Sequence, residues 1–460
     1  MQIQMQQTAD TIRRLIRREA MSHLRKILDK THPADIAHFS RFFTEKERNL
    51  VFGLLLEEDM DKAAVVLAEM DVMSAVALLE NRTPEMIRTI LQTMDPDDQV
   101  DLIDQLPEEI SNAVLQLMKK AESEQVESLL TYGKNTAGGI MNTKYLALNE
   151  EMTIKEAIEA LHESQDIEML FYLYVVDDRN HLVGVLSMRQ LILKPPNTKL
   201  KNVMEDEVMR VHTDTDQEEV ARQVARYNFL AIPVVDDENK MLGVVTVDDT
   251  IDVLREEATE DFMKMVGTST EEILEPSVVS SLRLRSPWLL TSLLGGIIAA
   301  TVIIQFESMI GRIIVLSAFL PVITGMGGNV GIQSTTLMVR GIATGRISVK
   351  HIWNVLRKEI AIGLISGIGY GLLLGILTNI AIRIGILSSV SPIDMVRLSI
   401  VVGIGLFASM FAATTVGTFI PLVLERIKID PALASGPFVT TAIDILGVGS
   451  YLLIARIFFL

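Results

Sequence analysis

Four long uncharged runs, Pro287 to Phe306, Ile313 to Val339, Ile360 to Ile382 and Leu398 to Leu424, restrict what this 460-residue chain can become, as does a fifth, Pro431 to Ala455, in which Asp444 is the only charge. Each is long enough to cross a hydrocarbon layer as a helix, and in lipid only helices and closed barrels satisfy every backbone polar group internally. Five spans are predicted. The fifth poses the functional question, because a carboxylate at that depth is costly unless it is paired or hydrated. The next basic residue, Arg456, is twelve positions on, about 18 Å along a helix axis. Two readings of Asp444 stand: a structural carboxyl bonded to a neighbouring Thr or carbonyl, or the wall of a wet path whose counter-ion is not part of the protein. Pro431 and Pro437 loosen the helix, while Gly436, Gly447 and Gly449 admit a close neighbour. Such backbone is tolerated at depth only against protein or a water-filled cavity, which favours the second reading.

The rest of the chain is acidic. From Arg283 onward 13 Lys and Arg stand against 6 Asp and Glu, a net +7, whereas the first 282 residues hold 29 against 53, a net −24. That half should attract cations rather than nucleic acid or an anionic lipid surface. There is no cysteine, so disulfides, thiolate metal sites and cysteine nucleophiles are excluded. The polar opening, Met1 to Asp10, leads into Arg13, Arg14, Arg17 and Arg18 without the apolar stretch of a secretory signal, which places the amino-terminal half in the cytoplasm. Nine Lys and Arg flank the inner ends of the predicted spans against three in the outer loops, a bias that agrees and puts the carboxyl terminus outside. The expected location is the plasma (inner) membrane.

Residues 1–133 read as an acidic helical domain. Apolar residues recur at three and four spacing, and breaks such as Asn81-Arg82-Thr83-Pro84 and Asp95-Pro96-Asp97-Asp98 carry helix-start residues, as in a superhelical stack of short helices. Asp95, Asp97 and Asp98 are solvated helix starts or, alternatively, share a divalent cation with another domain. Residues 136–247 hold a duplication. Leu173 to Asp178 and Leu182 to Ser187 in copy one answer to Ile232 to Asp237 and Leu242 to Thr246 in copy two, each a helix, a strand, an acidic turn and a strand. These copies resemble a tandem CBS-domain module. In that family a Gly-x-x-Ser/Thr-x-x-Asp segment holds a nucleotide ribose. Copy two has it as Gly243, Thr246 and Asp249, whereas copy one reads Gly184, Ser187 and Gln190. Copy two is therefore the candidate for regulatory ATP or another adenine nucleotide, a purely structural module being the alternative. Residues 248–282 follow as a connecting helix and linker. From Asp248 to Val266 the residues are helix formers and Gly267 is a stop. Asp249, Asp252, Glu256 and Glu260 share a face with Glu257 and Asp261 beside them, a spacing that repels unless a divalent cation intervenes.

Residues 283–460 form the membrane domain. Within its second span, Gly325-Met326-Gly327-Gly328-Asn329-Val330-Gly331-Ile332-Gln333 is too glycine-rich for an ordinary helix and places two amides at depth. This run, together with Asp430-Pro431-Ala432 through Thr440-Thr441-Ala442-Ile443-Asp444-Ile445-Leu446-Gly447, resembles the two pore motifs of the MgtE family of magnesium channels. The order of parts matches along nearly the whole chain. The resemblance implies a homodimer in the lipid bilayer with the ion path on its two-fold axis, Asp444, Asn329, Gln333, Gly328, Thr440 and Thr441 at the pore, and Glu307 at the outer mouth. It also implies closure by cytoplasmic Mg²⁺ bound through Asp216, Glu218, Asp249, Asp252, Glu257, Glu260, Asp261 and Asp430. Asn228 departs from the pattern, standing where some relatives carry an acid.

The fold class expected is therefore multidomain: an α-helical superhelical amino-terminal domain, an α/β tandem CBS module, a long acidic helix and an all-α domain of five spans. The function expected is Mg²⁺ uptake through a channel. The alternative is a proton-coupled secondary transporter of a divalent cation in which Asp444 cycles through protonation. No Walker segment, nucleophile elbow or paired histidines point to an enzyme.

Overall fold

The computed structural model describes residues 2–164, 171–273, 277–347, 352–386 and 392–459. It divides into two compact units, Met1–Leu254 and Arg255–Leu460.

In the first unit, short helices run from Gln2–Arg17 to Lys120–Leu129. Their starts explain the regular breaks: Thr44 and Glu47 form a reciprocal capping box, Asp59 accepts the Lys62 N–H, Asp71 that of Ser74, and Thr83 that of Met86 ahead of Pro84. Each helix turns an apolar stripe inward, and Ala63, Leu79, Ile87, Ile90 and Leu91 are fully buried in one core.

The duplication folds as two equivalent three-stranded sheets. β1 (Ala147–Asn149) pairs parallel with β2 (Tyr172–Val176), which pairs antiparallel with β3 (Leu182–Ser187). β4 (Val211–His212), β5 (Ala231–Val235) and β6 (Met241–Thr246) repeat that order. The hairpin tips clasp each other: Leu182 donates to the Asn239 carbonyl and Met241 to that of Asn180, both at 3.0 Å. Asn180 and Asn239 both take left-handed backbone, with φ of 66° and 65°, which asparagine tolerates. Asn228 has the same conformation, φ 55°, where it ends the Gln217–Tyr227 helix. Its departure from an acid thus has a local structural reason.

In the second unit, the described residues contain five helices long and apolar enough to cross a membrane: span 1 (Val278–Ile304), span 2 (Val315–Ala343), span 3 (Ile352–Arg383), span 4 (Met395–Arg426) and span 5 (Pro437–Phe459). The connecting helix, Val247–Val266, runs from the first unit into this one and stops at Gly267, whose φ of 84° favours glycine.

One expectation needs correction. The glycine-rich stretch of span 2 lies in a continuous helix, Leu320–Ala343. Glycine weakens an isolated helix by about 1 kcal/mol per residue, but here its missing side chain admits neighbours: a Cβ on Gly331 would meet Ile443 Cδ1 at 2.0 Å, and one on Gly417 would meet the Gly331 carbonyl at 2.5 Å. Packing outweighs propensity. The irregular backbone belongs instead to the approach to span 5, where a four-residue helix, Ala432–Ser435, breaks at Gly436 before Pro437 opens the crossing helix.

The interlock of spans 2 and 4 predicts that Gly417→Val destabilises the detergent-solubilised protein by about 1–3 kcal/mol, read as a lowered thermal midpoint. Gly328→Ala, whose added Cβ meets nothing within 4 Å, should leave that midpoint unchanged or raised.

Candidate functional site

Span 5 carries Asp444 because its neighbour Ile443 is drawn onto Gly331 of span 2. Ile443 is 1% exposed and Asp444, the next residue round the helix, is partly exposed. Among the described residues no hydrogen bond or ion pair reaches the Asp444 carboxylate. Asn329 and Gln333, four positions apart and so on one face of span 2, are exposed in the single chain, again without a partner among the described residues. Gly327, Gly331, Ser334 and Thr335 form the opposite, buried face. A polar face left open at membrane depth must meet water or another chain. Thr440 donates to the Gly436 carbonyl at 3.2 Å, and Thr441 packs where Gly295 of span 1 has no side chain. Gly328 faces open space. Glu307 is exposed at the start of the Glu307–Arg312 helix that follows span 1. Among the described residues no hydrogen bond joins Asp444 to either amide.

The approach to span 5 holds a second constellation, part of which sequence reasoning missed. Lys264, near the end of the connecting helix, places its ammonium 2.7 Å from Asp430 Oδ2 and 2.5 Å from Glu260 Oε1. Burial alone would lower its pKa, but these carboxylates raise it, so it stays charged. The other Asp430 oxygen accepts the Ala432 N–H at 2.8 Å. The carbonyls of Lys264 and Met265 lie 3.4 and 3.3 Å from where a Cβ on Gly436 would sit. The connecting helix thus ends against the broken approach to span 5. Asp261 is pushed up to about 6 by burial and by the Asp430 and Glu257 charges. The signal for Lys264 was its place four residues after Glu260, where a helical ion pair forms.

A third group lies within the first unit. Asp95 begins the Pro96–Gln105 helix but, unlike Asp59 and Asp71, makes no capping bond and pairs with Lys144 at 3.0 Å. Asp97 Oδ1 is sealed from solvent without a hydrogen-bond partner among the described residues. Burial raises the Asp97 pKa well above the usual range, and the Asp249, Asp98 and Asp95 charges add to it. Asp98 is pushed up to about 7 by burial and by Asp249 and Asp95, and Asp249 to about 6, chiefly by burial. These acids suffer one another's charge, as a hard cation would relieve. Among the described residues no three of them converge as metal ligands. Asp216 caps the Gln217–Tyr227 helix through the Glu218 N–H, and Glu218 pairs with Arg222 at 3.4 Å. Asp252 is exposed on the connecting helix.

In copy two, Asp249 takes the Thr246 N–H and hydroxyl. In copy one, Gln190 does the same for Ser187 at 2.8 and 2.9 Å. The turn therefore does not need a carboxylate at this position. Beside Gly243, an added Cβ would meet the Asn142 carbonyl at 2.9 Å.

Three family models match the chain: the divalent cation transporter MgtE over residues 320–454, the MgtE intracellular N domain over 31–135, and the CBS domain over 137–196 and 200–256. The chain is 34% identical over 440 residues to the magnesium transporter MgtE of Thermus thermophilus, covering 94% of each. It is 32% identical over 445 residues to the magnesium transporter MgtE of Bacillus subtilis, covering 96% of each. A crystal structure of the cytosolic domain of the Mg²⁺ channel MgtE in complex with ATP is similar at a TM-score of 0.50 and 35% identity, covering 53% of this chain and 99% of that one.

The acid group has a pH signature. Because the folded pKa values of Asp98 and Asp249 are raised, their stabilising contribution is full below about pH 4 and is lost as pH rises through 6 to 7. Without divalent cations, hydrogen exchange in the Pro96–Gln105 helix, corrected for intrinsic rates, should be faster at pH 8 than at pH 5. Asp98→Asn should flatten that difference.

Proposed function

The chain belongs to the MgtE family of magnesium transporters, and on that premise we propose that it is a Mg²⁺-selective uptake channel of the plasma membrane, closed by cytoplasmic Mg²⁺. The observation that carries this reading is the Asp444 carboxylate, partly open within a span and without a protein partner among the described residues. Mg²⁺ sheds its inner waters reluctantly, so selection acts on the hydrated ion, whose waters donate to carboxylate, amide and carbonyl acceptors. Among the described residues one chain offers one such carboxylate. A homodimer with its two-fold axis along the open face of span 2 doubles Asp444, Asn329 and Gln333 around one path. Two carboxylates balance a divalent charge without holding it from every side. Glu307 draws cations toward the outer end.

Regulation uses the soluble acids. With internal Mg²⁺ scarce, the carboxylates of Asp97, Asp98 and Asp249 repel one another, as do those of Glu257, Asp261 and Asp430. Bound Mg²⁺ turns repulsion into attraction and seats the connecting helix against the approach to span 5. Asp97 Oδ1, without a hydrogen-bond partner among the described residues, would gain from a nearby cation. ATP bound at copy two through Gly243, Thr246 and Asp249 would add charge beside the same acids and so tune that closure. The amino terminus is cytoplasmic and the carboxyl terminus outside.

Flux into liposomes tests this reading. Mg²⁺ uptake should run without a proton gradient, fall when Mg²⁺ is placed on the cytoplasmic face, and vanish in a folded Asp444→Asn variant. Normal flux through that variant would refute the pore. Flux that collapses with the proton gradient at constant voltage would replace the channel with a coupled transporter.

A further inference from the structure

Glu359 is a charged-type side chain that the pore reading does not use. It lies in span 3, is 4% exposed, and accepts a hydrogen bond from Ser334 Oγ of span 2 at 2.9 Å. Ser334 is itself 2% exposed. The preceding Arg357 and Lys358 are turned outward, and among the described residues no basic side chain pairs with Glu359. A carboxyl group enclosed by helices with one hydroxyl partner is a poor way to gain stability, since an apolar side chain would pack there without desolvation. An enclosed carboxyl within a span is by default a group with a function.

The surroundings say which. Ser334 follows Gln333 directly, so the two lie about 100° apart on one helix and rotate together. Asn329 shares the Gln333 face. Around Ser334 the helix is tied at the same level elsewhere: the Thr335 hydroxyl lies 2.9 Å from the Gly331 carbonyl and 3.0 Å from that of Gly417 in span 4, and Gly331 receives Ile443. One turn beyond Glu359, Gly363 packs on Thr414 of span 4. The bond from span 3 adds a further helix to this junction on the buried face of span 2, next to the ties made by Gly331 and Thr335.

We infer that Glu359 is a positioning residue for ion selection, fixing through Ser334 the rotation of span 2 and hence the spacing of the Asn329 and Gln333 amides around the path. The inference rests on the pore reading above. Selection of a hydrated ion depends on the diameter between opposed acceptors, so a small rotation of span 2 alters discrimination more than it alters conduction. A glutamine at 359 keeps an acceptor oxygen and the volume of glutamate, and so keeps the bond.

The test is competition flux in liposomes, Mg²⁺ against Ca²⁺ and Mn²⁺, on full-length dimer checked by size exclusion. Glu359→Ala and Ser334→Ala should each relax the Mg²⁺ preference by about two- to tenfold, the worth of one hydrogen bond. The double variant should do no more than either alone. Glu359→Gln should retain the native preference. An unchanged preference in folded Glu359→Ala and Ser334→Ala would overturn the inference, as would additive effects or a Glu359→Gln variant as relaxed as Glu359→Ala. If neither alanine variant folds, the pair is structural only and the positioning role is lost. Asp444→Asn is run alongside: normal Mg²⁺ flux there would mean that the pore reading itself has failed, whatever the preference of the other variants.

Discussion

A carboxylate inside a bilayer without a protein counter-charge is the constraint around which this structure is arranged. Asp444 has no hydrogen-bond or ion-pair partner among the described residues, and the packing that holds it gives it none: Ile443 anchors span 5 on the glycine face of span 2, which leaves the next residue at the edge of that contact. Asn329 and Gln333 stand open on the neighbouring face of span 2. An isolated chain would expose these polar groups to lipid at considerable cost. The proposed second copy, with a hydrated path between the two, would remove that cost.

The acidic residues outside the membrane meet the same difficulty in two other ways. At the approach to span 5 the chain supplies its own cation, Lys264, which joins Glu260 to Asp430 and ties the end of the connecting helix beside the Gly436 break. In the first unit Lys144 serves Asp95, while Asp97, Asp98 and Asp249 are left to raise one another's pKa. Where the chain offers its own cation, geometry is fixed. Where it offers none, the acids raise one another's pKa, and the regulation proposed above would act there.

The broad architecture was legible because its signals are long-range and redundant: uncharged runs of bilayer length, a duplicated strand pattern and a stop at Gly267. Finer features were not. Glu359 borders an uncharged run and follows Arg357 and Lys358, so it reads as part of a wet flank, and only the helix starting at Ile352 carries it inward. Lys264 was hidden among acids whose spacing suggested an external cation. The glycines of span 2 suggested broken backbone because propensity ignores the neighbour that each missing side chain admits. Asn228 looked like the loss of an acid until its left-handed backbone was seen.

The central claim is that Asp444 faces its own copy across water. The chain has no cysteine, so Asp444→Cys introduces a single thiol. In native membranes the account predicts that a membrane-impermeant, water-soluble thiol reagent reaches this position and that mild oxidation yields a covalent dimer, while Ile443→Cys, packed against Gly331, does neither. A cysteine at 444 that stays unreactive and never cross-links would contradict it.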